Sequence, residues 1–151
     1  MLDTKKIISP IALIVDDDLT FHQVMRLVLR KILPGWHVVA AFDGRDGLVK
    51  AQLLQPDLIT LDINMPVMGG IELAREIRNR PEIKDTPIVI LSGSLSVDLL
   101  SEIEGLCDGT LRKPFTTEAL QNVMQSILSQ TETEKGLPYV PRPKSKPNST
   151  L

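Results

Sequence analysis

Short apolar runs alternate with longer segments of helical periodicity along most of this chain. Five runs of four or five residues have the length of strands buried on both faces. They read Ile11 to Val15, His37 to Ala41, Leu58 to Leu61, Ile88 to Leu91 and Gly109 to Arg112. This alternation is typical of β-α units, and it predicts a doubly wound α/β fold with a five-stranded parallel sheet between two layers of helices.

The segments between these runs predict the helices. Apolar residues at helical spacing indicate a first helix through Phe21 to Ile32 and a last helix through Leu120 to Leu128. A short fourth helix is expected within Ser96 to Glu104, ending at Gly105. Residue types that favour helix N-caps precede three of the helices. These predicted caps are Thr20, Asp43 and Thr116.

Composition restricts the class of protein. With 151 residues, the chain is long enough for one core and too short for two. Its formal net charge of -2 would not attract nucleic acid or an anionic membrane. The single cysteine, Cys107, cannot form an internal disulfide, which suits a reducing compartment. Since no apolar stretch approaches the ~20 residues that cross a bilayer, we expect a cytoplasmic protein.

The composition changes after Gln130. The remaining residues read TETEKGLPYVPRPKSKPNSTL, which is rich in proline, lysine and serine and lacks apolar periodicity. Such a segment cannot bury enough apolar surface to fold by itself. We therefore expect one domain over residues 1–130 and a disordered or extended tail over residues 131–151.

Charged and hydroxyl side chains follow the predicted strands. In a doubly wound sheet, the carboxyl ends of the strands border one crevice. Clustered carboxylates raise one another's pKa unless a cation lies among them, and Mg2+ fits because it takes one or two carboxylates and keeps several waters. The residues at these ends are Asp16, Asp17 and Asp18, then Asp62, Ser92 and Lys113. The sequence therefore predicts a magnesium site at this edge.

Four motifs at these strand ends occur in the order of a known family. They are VDDD after the first strand, LDINMP at the third, a hydroxyl and a small residue at the fourth, and KPF after the fifth. Together they resemble the receiver domain of bacterial two-component response regulators, over about Ile11 to Gln130. The resemblance implies a flavodoxin-like fold with strand order 2-1-3-4-5. It favours a stand-alone receiver similar to chemotaxis regulators, while excision from a longer regulator or hybrid kinase stays open.

The resemblance also implies roles for the acidic residues. Asp62 would be the phosphoacceptor. Asp17 and Asp62 would bind Mg2+ directly, together with the backbone carbonyl of Asn64, and Asp16 would act largely through a metal-bound water. The chain would then be a signalling phosphoacceptor and not an enzyme, since it would only assist its own phosphorylation and dephosphorylation.

Further expectations concern the phosphoryl oxygens and the partners. Lys113 would neutralise one phosphoryl oxygen, and the Ser92 hydroxyl would bind another and draw the following loop inward. The phosphodonor would be a sensor histidine kinase or a histidine phosphotransfer protein, and the output a contact with a further protein. Whether phosphorylation makes this chain dimerise stays open.

Two positions depart from the pattern of the resembled family. Gly69 stands where an aspartate is common at the start of the third helix, which predicts a mild structural loss. Thr110 occupies the position on the fifth strand where an aromatic residue is common. A rotamer change of an aromatic ring is therefore not expected to carry the signal here.

Two other functions would use similar residues, and the sequence favours neither over a receiver. A phosphohydrolase of the haloacid dehalogenase type needs an acid two residues after its nucleophile, where this chain has Asn64, and places that nucleophile on its first strand. A receiver-like docking or dimerisation module that is never phosphorylated would not need the full set of acids, hydroxyl and lysine. His22 and His37 lack partner motifs and are interpreted as a partly exposed helix residue and a strand-edge residue.

Overall fold

The computed structural model describes residues 9–129, which form a parallel sheet of five strands. The order across the sheet is β2-β1-β3-β4-β5, so the predicted doubly wound fold and its strand order are confirmed. Each predicted strand is present, and only the fourth is longer than expected, by Ser92. The strands are β1 (Ile11–Val15), β2 (His37–Ala41), β3 (Leu58–Leu61), β4 (Ile88–Ser92) and β5 (Gly109–Arg112).

Within the described residues, four helices connect the five strands and a fifth follows the last strand. The short fourth helix lies within the predicted segment, and Gly105 follows it with a positive φ of 80°. At that φ an L side chain would be strained, which is why glycine suits this helix end. The helices are α1 (Leu19–Ile32), α2 (Gly44–Leu54), α3 (Gly70–Arg78), α4 (Val97–Ile103) and α5 (Thr117–Ser129).

Two of the three predicted helix caps are confirmed. The Asp43 side chain accepts a hydrogen bond from the N–H of Asp46, and the Thr116 hydroxyl accepts one from Ala119. The prediction that Thr20 caps α1 is wrong. Asp18 caps this helix through its Oδ1, which lies 2.9 Å from the N–H of Thr20. The helix starts one residue earlier than Thr20, so the preceding aspartate occupies the cap position.

Two apolar layers enclose the sheet. Along β1, Leu13 and Val15 face the layer that includes α3, whereas Ala12 and Ile14 face the layer that includes α1 and α5. This alternation follows from the two-residue period of a strand. The central strands β1, β3 and β4 are almost fully buried. The edge strands β2 and β5 are not, so the prediction that all five are buried on both faces is wrong for these two.

The predictions of a C-terminal tail and of no membrane span can be compared with the structure only over the described residues. The predicted tail, residues 131–151, lies outside the described residues, as do residues 1–8 and 130. Within residues 9–129, no helix has the length and apolar character needed to cross a bilayer.

The start of α3 requires a glycine at position 70. A Cβ atom added to Gly70 would collide with the backbone carbonyl oxygen of Asp62. The N–H of Gly70 also donates to the carbonyl of Ile63 at 2.9 Å, which keeps the two backbone segments together. The sequence therefore needs a residue without a side chain where α3 meets the end of β3.

We expect Gly70→Ala to lower the free energy of unfolding by about 3 kcal/mol, because the backbone of Asp62 or α3 must move to admit the methyl group. Urea unfolding followed by circular dichroism measures this. Gly93→Ala is the matched control, since its added Cβ would meet no atom within 4 Å, and it should unfold close to the wild type. Equal urea midpoints for the two variants would contradict this close contact between Gly70 and Asp62.

Candidate functional site

The carboxyl ends of β1 and β3 lie side by side at the middle of the sheet. Val15 pairs with Leu61 in the parallel register, and the N–H of Asp62 donates to the carbonyl of Val15 at 3.0 Å. On the other side, the N–H of Asp16 donates to the carbonyl of Ala41 in β2. The backbone ladder therefore continues one residue past each strand and brings Asp16 next to Asp62.

Three of the predicted site residues form an acidic cluster. One carboxylate oxygen from each of Asp16, Asp17 and Asp62 lies within 4.8 Å of the other two. Asp16 is 1% exposed, whereas Asp17 is exposed and Asp62 is intermediate. This donor set consists only of oxygen atoms and is open on one side, as a hydrated divalent cation such as Mg2+ requires. The residues present therefore fit a magnesium ion.

Asn64 lies beside the cluster on the turn after β3. Its backbone N–H donates to Asp62 Oδ1 at 3.4 Å, a long and weak hydrogen bond. This contact places Asn64 next to Asp62. The role of the Asn64 carbonyl as a metal ligand stays a prediction.

Lys113 supplies positive charge to the cluster from the end of β5. Its Nζ lies 2.6 Å from Asp16 Oδ2 and 3.8 Å from Asp62 Oδ2. The same ammonium lies 3.8 Å from the ring centroid of Phe21, and this ring packs edge-on against Phe115. A cation over an aromatic face is attracted by the ring quadrupole, so Phe21 helps to hold the ammonium near both carboxylates.

The pKa of the Asp62 carboxyl is raised above its usual value. Burial is the main cause, and the nearby Asp16 carboxylate adds to it. The Lys113 ammonium and the N–H groups of Asn64 and Ile63 act in the opposite direction without cancelling the effect. The ionised form of Asp62 is therefore disfavoured in the metal-free fold, and a bound cation would relieve this.

A consequence for stability follows from this pKa. A carboxyl with a raised folded pKa stabilises the fold below its unfolded pKa, and the contribution is lost as the pH rises through the folded pKa. In EDTA at neutral pH, Asp62→Asn is therefore expected to raise the Tm. This gain in Tm should shrink as the pH falls toward 3.8, the ordinary pKa of an aspartate side chain. Differential scanning calorimetry at several pH values measures this, and a variant less stable than wild type at neutral pH would contradict it.

Ser92 lies at the end of β4, next to the strand that carries Asp62. The residue is fully buried. Its hydroxyl donates to the carbonyl of Ser94 at 3.3 Å, and the N–H of Ser94 donates back to Ser92 Oγ at 3.4 Å. Both bonds are long and weak. The hydroxyl is thus engaged by the loop after β4, and among the hydrogen bonds of the described residues it makes none to Asp62.

Sequence reasoning missed the position of His22. The ring was expected to be partly exposed, but the residue is only 5% exposed and lies beside the acidic cluster, so that expectation is wrong. Its Nε2 lies 2.7 Å from the backbone carbonyl of Asp16. His22, Met25 and Leu29 form the buried face of α1, and their spacing of three and four residues was the signal that could have revealed it. His37 is exposed at the start of the edge strand β2, as expected.

The fold and the acidic cluster together define a doubly wound α/β domain with a carboxylate site at the carboxyl edge of its sheet. Residues 12–125 match the response regulator receiver domain. This match covers most of the chain, which therefore belongs to the response regulator receiver domain family. Members of this family are signalling phosphoacceptors that pair with histidine kinases and bind Mg2+ at their acidic site.

Curated proteins with similar sequences include transcriptional and response regulators. The transcriptional regulatory protein PrrA of Mycobacterium tuberculosis is 36% identical over 121 residues, which are 80% of this chain and 50% of PrrA. The chain spans about half the length of the first curated relatives that it matches.

Solved structures show the same fold. The chemotaxis protein CheY4 of Vibrio cholerae is 36% identical with a TM-score of 0.73, and the match covers 80% of this chain and 99% of CheY4. The receiver domain of the sensor histidine kinase PA1611 of Pseudomonas aeruginosa is 28% identical with a TM-score of 0.71, covering 79% and 97% of the two chains. That structure has a magnesium ion coordinated in its active site cleft.

Proposed function

We propose that this chain accepts a phosphoryl group on Asp62 from a phosphohistidine of a partner protein. The observation that carries the proposal is the position of Asp62, which shares one sheet edge with two further carboxylates and has the Lys113 ammonium 3.8 Å away. A carboxylate oxygen of Asp62 attacks phosphorus and forms the new P–O bond. The P–N bond to the histidine breaks, and the ring nitrogen keeps the electron pair.

The acidic cluster would hold Mg2+. Asp17 and Asp62 would supply carboxylate ligands and Asn64 its backbone carbonyl, while Asp16 would act mainly through a water ligand. Bound Mg2+ neutralises charge on the phosphoryl oxygens. Three observations support this assignment: the oxygen-only donor set, the raised pKa of Asp62, and the magnesium ion in the receiver domain of PA1611.

Lys113 and Ser92 would bind the remaining phosphoryl oxygens. The Lys113 ammonium is close enough to Asp62 to reach an oxygen carried on it, and Phe21 keeps it oriented. The Ser92 hydroxyl would leave its weak bond to the Ser94 carbonyl and donate to a phosphoryl oxygen instead. Since the Ser94 backbone is tied to this hydroxyl, the loop would change with it, and a surface near α4 would report the phosphorylation.

The partners follow from this chemistry. The phosphodonor would be a sensor histidine kinase or a histidine phosphotransfer protein, and the output would be altered binding of a further protein. The chain would only assist its own phosphorylation and dephosphorylation, because every proposed reaction step involves its own Asp62.

Treatment with acetyl phosphate tests this function without a cognate kinase. With Mg2+ present, intact-mass measurement is expected to show the gain of one phosphoryl group that is lost under conditions that hydrolyse acyl phosphates. EDTA should prevent the gain. Equal labelling in Mg2+ and in EDTA would contradict the proposed metal dependence.

We further propose that the receiver domain is complete without residues 131–151. All five described strands, and the described residues that form the two apolar layers and the acidic cluster, lie before Gln130 and are kept by truncation after it. We expect the truncated chain to have the wild-type Tm and the wild-type rate of phosphorylation by acetyl phosphate. A Tm several degrees lower would show that these residues belong to the domain.

A further inference from the structure

His22 makes a buried hydrogen bond to the backbone that carries the acidic cluster. It lies in the first turn of α1, and its Nε2 is 2.7 Å from the carbonyl oxygen of Asp16. A carbonyl oxygen can only accept a hydrogen bond, so Nε2 carries the ring proton and donates it. The ring therefore connects α1 to the loop between β1 and α1.

The remainder of the ring is held by packing. Its centroid lies 4.6 Å from that of Phe42, with the planes inclined by 52°. Nδ1 is buried and receives no hydrogen bond from residues 9–129. A buried polar atom without a partner is unfavourable, and leucine would fill this space without that penalty. The Nε2 bond to Asp16 is thus the property of histidine that the fold uses at this position.

The peptide that accepts this bond also belongs to Asp17. The Asp16 carbonyl and the Asp17 N–H share one planar unit, so fixing the carbonyl fixes the start of Asp17. Asp16 is held further by its N–H to Ala41 and by its carboxylate, which accepts from the N–H of Asp18 at 2.9 Å. In contrast, the Asp17 side chain is exposed, and no described residue donates a hydrogen bond to it. The placement of the Asp17 carboxylate therefore depends on its backbone.

We propose that His22 is a positioning residue for the magnesium site, because its hydrogen bond to Asp16 orients the peptide from which the Asp17 carboxylate projects. This inference rests on the proposed function, in which Asp17 is a metal ligand. In addition to that function, the affinity of the site for Mg2+ depends on the His22 Nε2 donor, which lies outside the acidic cluster. Loss of the donor lets the peptide rotate, so Asp17 spends less time in the geometry that binds the ion.

The test compares His22→Leu, which removes the donor, with His22→Gln, whose side-chain amide can donate to the same carbonyl. Calorimetric titration with Mg2+ on the full chain is expected to show a Kd about tenfold weaker for His22→Leu, as for other groups that orient metal ligands. His22→Gln should restore a Kd close to that of the wild type. Met25→Val is the matched control, since it alters the same buried helix face without removing a donor.

Nitrogen NMR of the imidazole provides a second measurement, because it detects the Nε2 proton that the hydrogen bond to Asp16 requires. The wild-type ring should carry its proton on Nε2 both with and without Mg2+. Protonation on Nδ1 alone, or a folded His22→Leu variant with the wild-type Kd, would overturn the inference. If the wild type binds Mg2+ and accepts phosphate while His22→Leu is unaffected, only this inference fails. A wild type that does not bind Mg2+ would overturn the proposed function as well.

Discussion

Asp62→Asn is expected to reduce phosphorylation of the chain by acetyl phosphate to background. An amide lacks the anionic oxygen that must attack phosphorus, and none of the neighbouring carboxylates occupies the same position after β3. The substitution preserves size and can keep the hydrogen bond from the N–H of Asn64. Intact-mass measurement after treatment in Mg2+ detects the loss, and circular dichroism shows that the variant is folded.

Asp18→Asn is the matched control for this experiment. Asp18 lies at the same sheet edge and carries the same charge, but its Oδ1 caps α1, a role that asparagine fills equally well. We expect this variant to gain one phosphoryl group as the wild type does. Wild-type labelling of Asp62→Asn, or loss of labelling in Asp18→Asn alone, would show that Asp62 is not the acceptor.

Ser92→Ala is expected to uncouple the loop after β4 from the phosphorylation site. In the presence of beryllofluoride and Mg2+, the wild-type amide shifts of residues 93–100 should change strongly, because the Ser92 hydroxyl exchanges its weak bonds with Ser94 for a ligand oxygen or fluorine. Alanine cannot make this exchange. Phosphorylation should continue, slowed by up to about a hundredfold, since Lys113 and the metal site remain.

Thr110→Ala is the comparison that separates two routes for the signal. Thr110 is half-buried on β5 beside Ile90, and its side chain is too small to reshape the neighbouring surface by a rotamer change. We expect this variant to keep both the loop response and the phosphorylation rate. A loop response that survives Ser92→Ala, or that disappears in Thr110→Ala, would contradict the proposed route from phosphate to surface.

The sheet could be predicted from the sequence because a strand that is buried on both faces of a parallel sheet consists mostly of apolar residues. β1 consists of apolar residues and β3 and β4 consist mostly of them, and the predicted bounds of all three agree with the structure to within one residue. The same reasoning overstated the burial of β2 and β5, since apolar composition does not distinguish a central strand from an edge strand. The lateral position of a strand depends on helix crossovers, which the strand's own residues do not encode.

Apolar composition did not predict which residues of α1 are buried. On α1, the apolar residue Val24 is 52% exposed, whereas the polar residue His22 is buried. A polar ring is buried only when another segment supplies a partner, and here the partner is a backbone carbonyl of Asp16. Backbone groups have no residue-specific signature, so sequence alone gives no indication of this contact. The collision that forbids a side chain at Gly70 was missed for the same reason.

Fluorine NMR of beryllofluoride with Mg2+ tests most directly whether Asp62 is a phosphoacceptor. Beryllofluoride bonds to a carboxylate oxygen and presents its fluorines where phosphoryl oxygens would lie. If Asp62 is the phosphoacceptor, bound fluorine resonances are expected with the wild type in Mg2+, and none with Asp62→Asn or in EDTA. Bound resonances of equal intensity with Asp62→Asn, or none with the folded wild type in Mg2+, would contradict it.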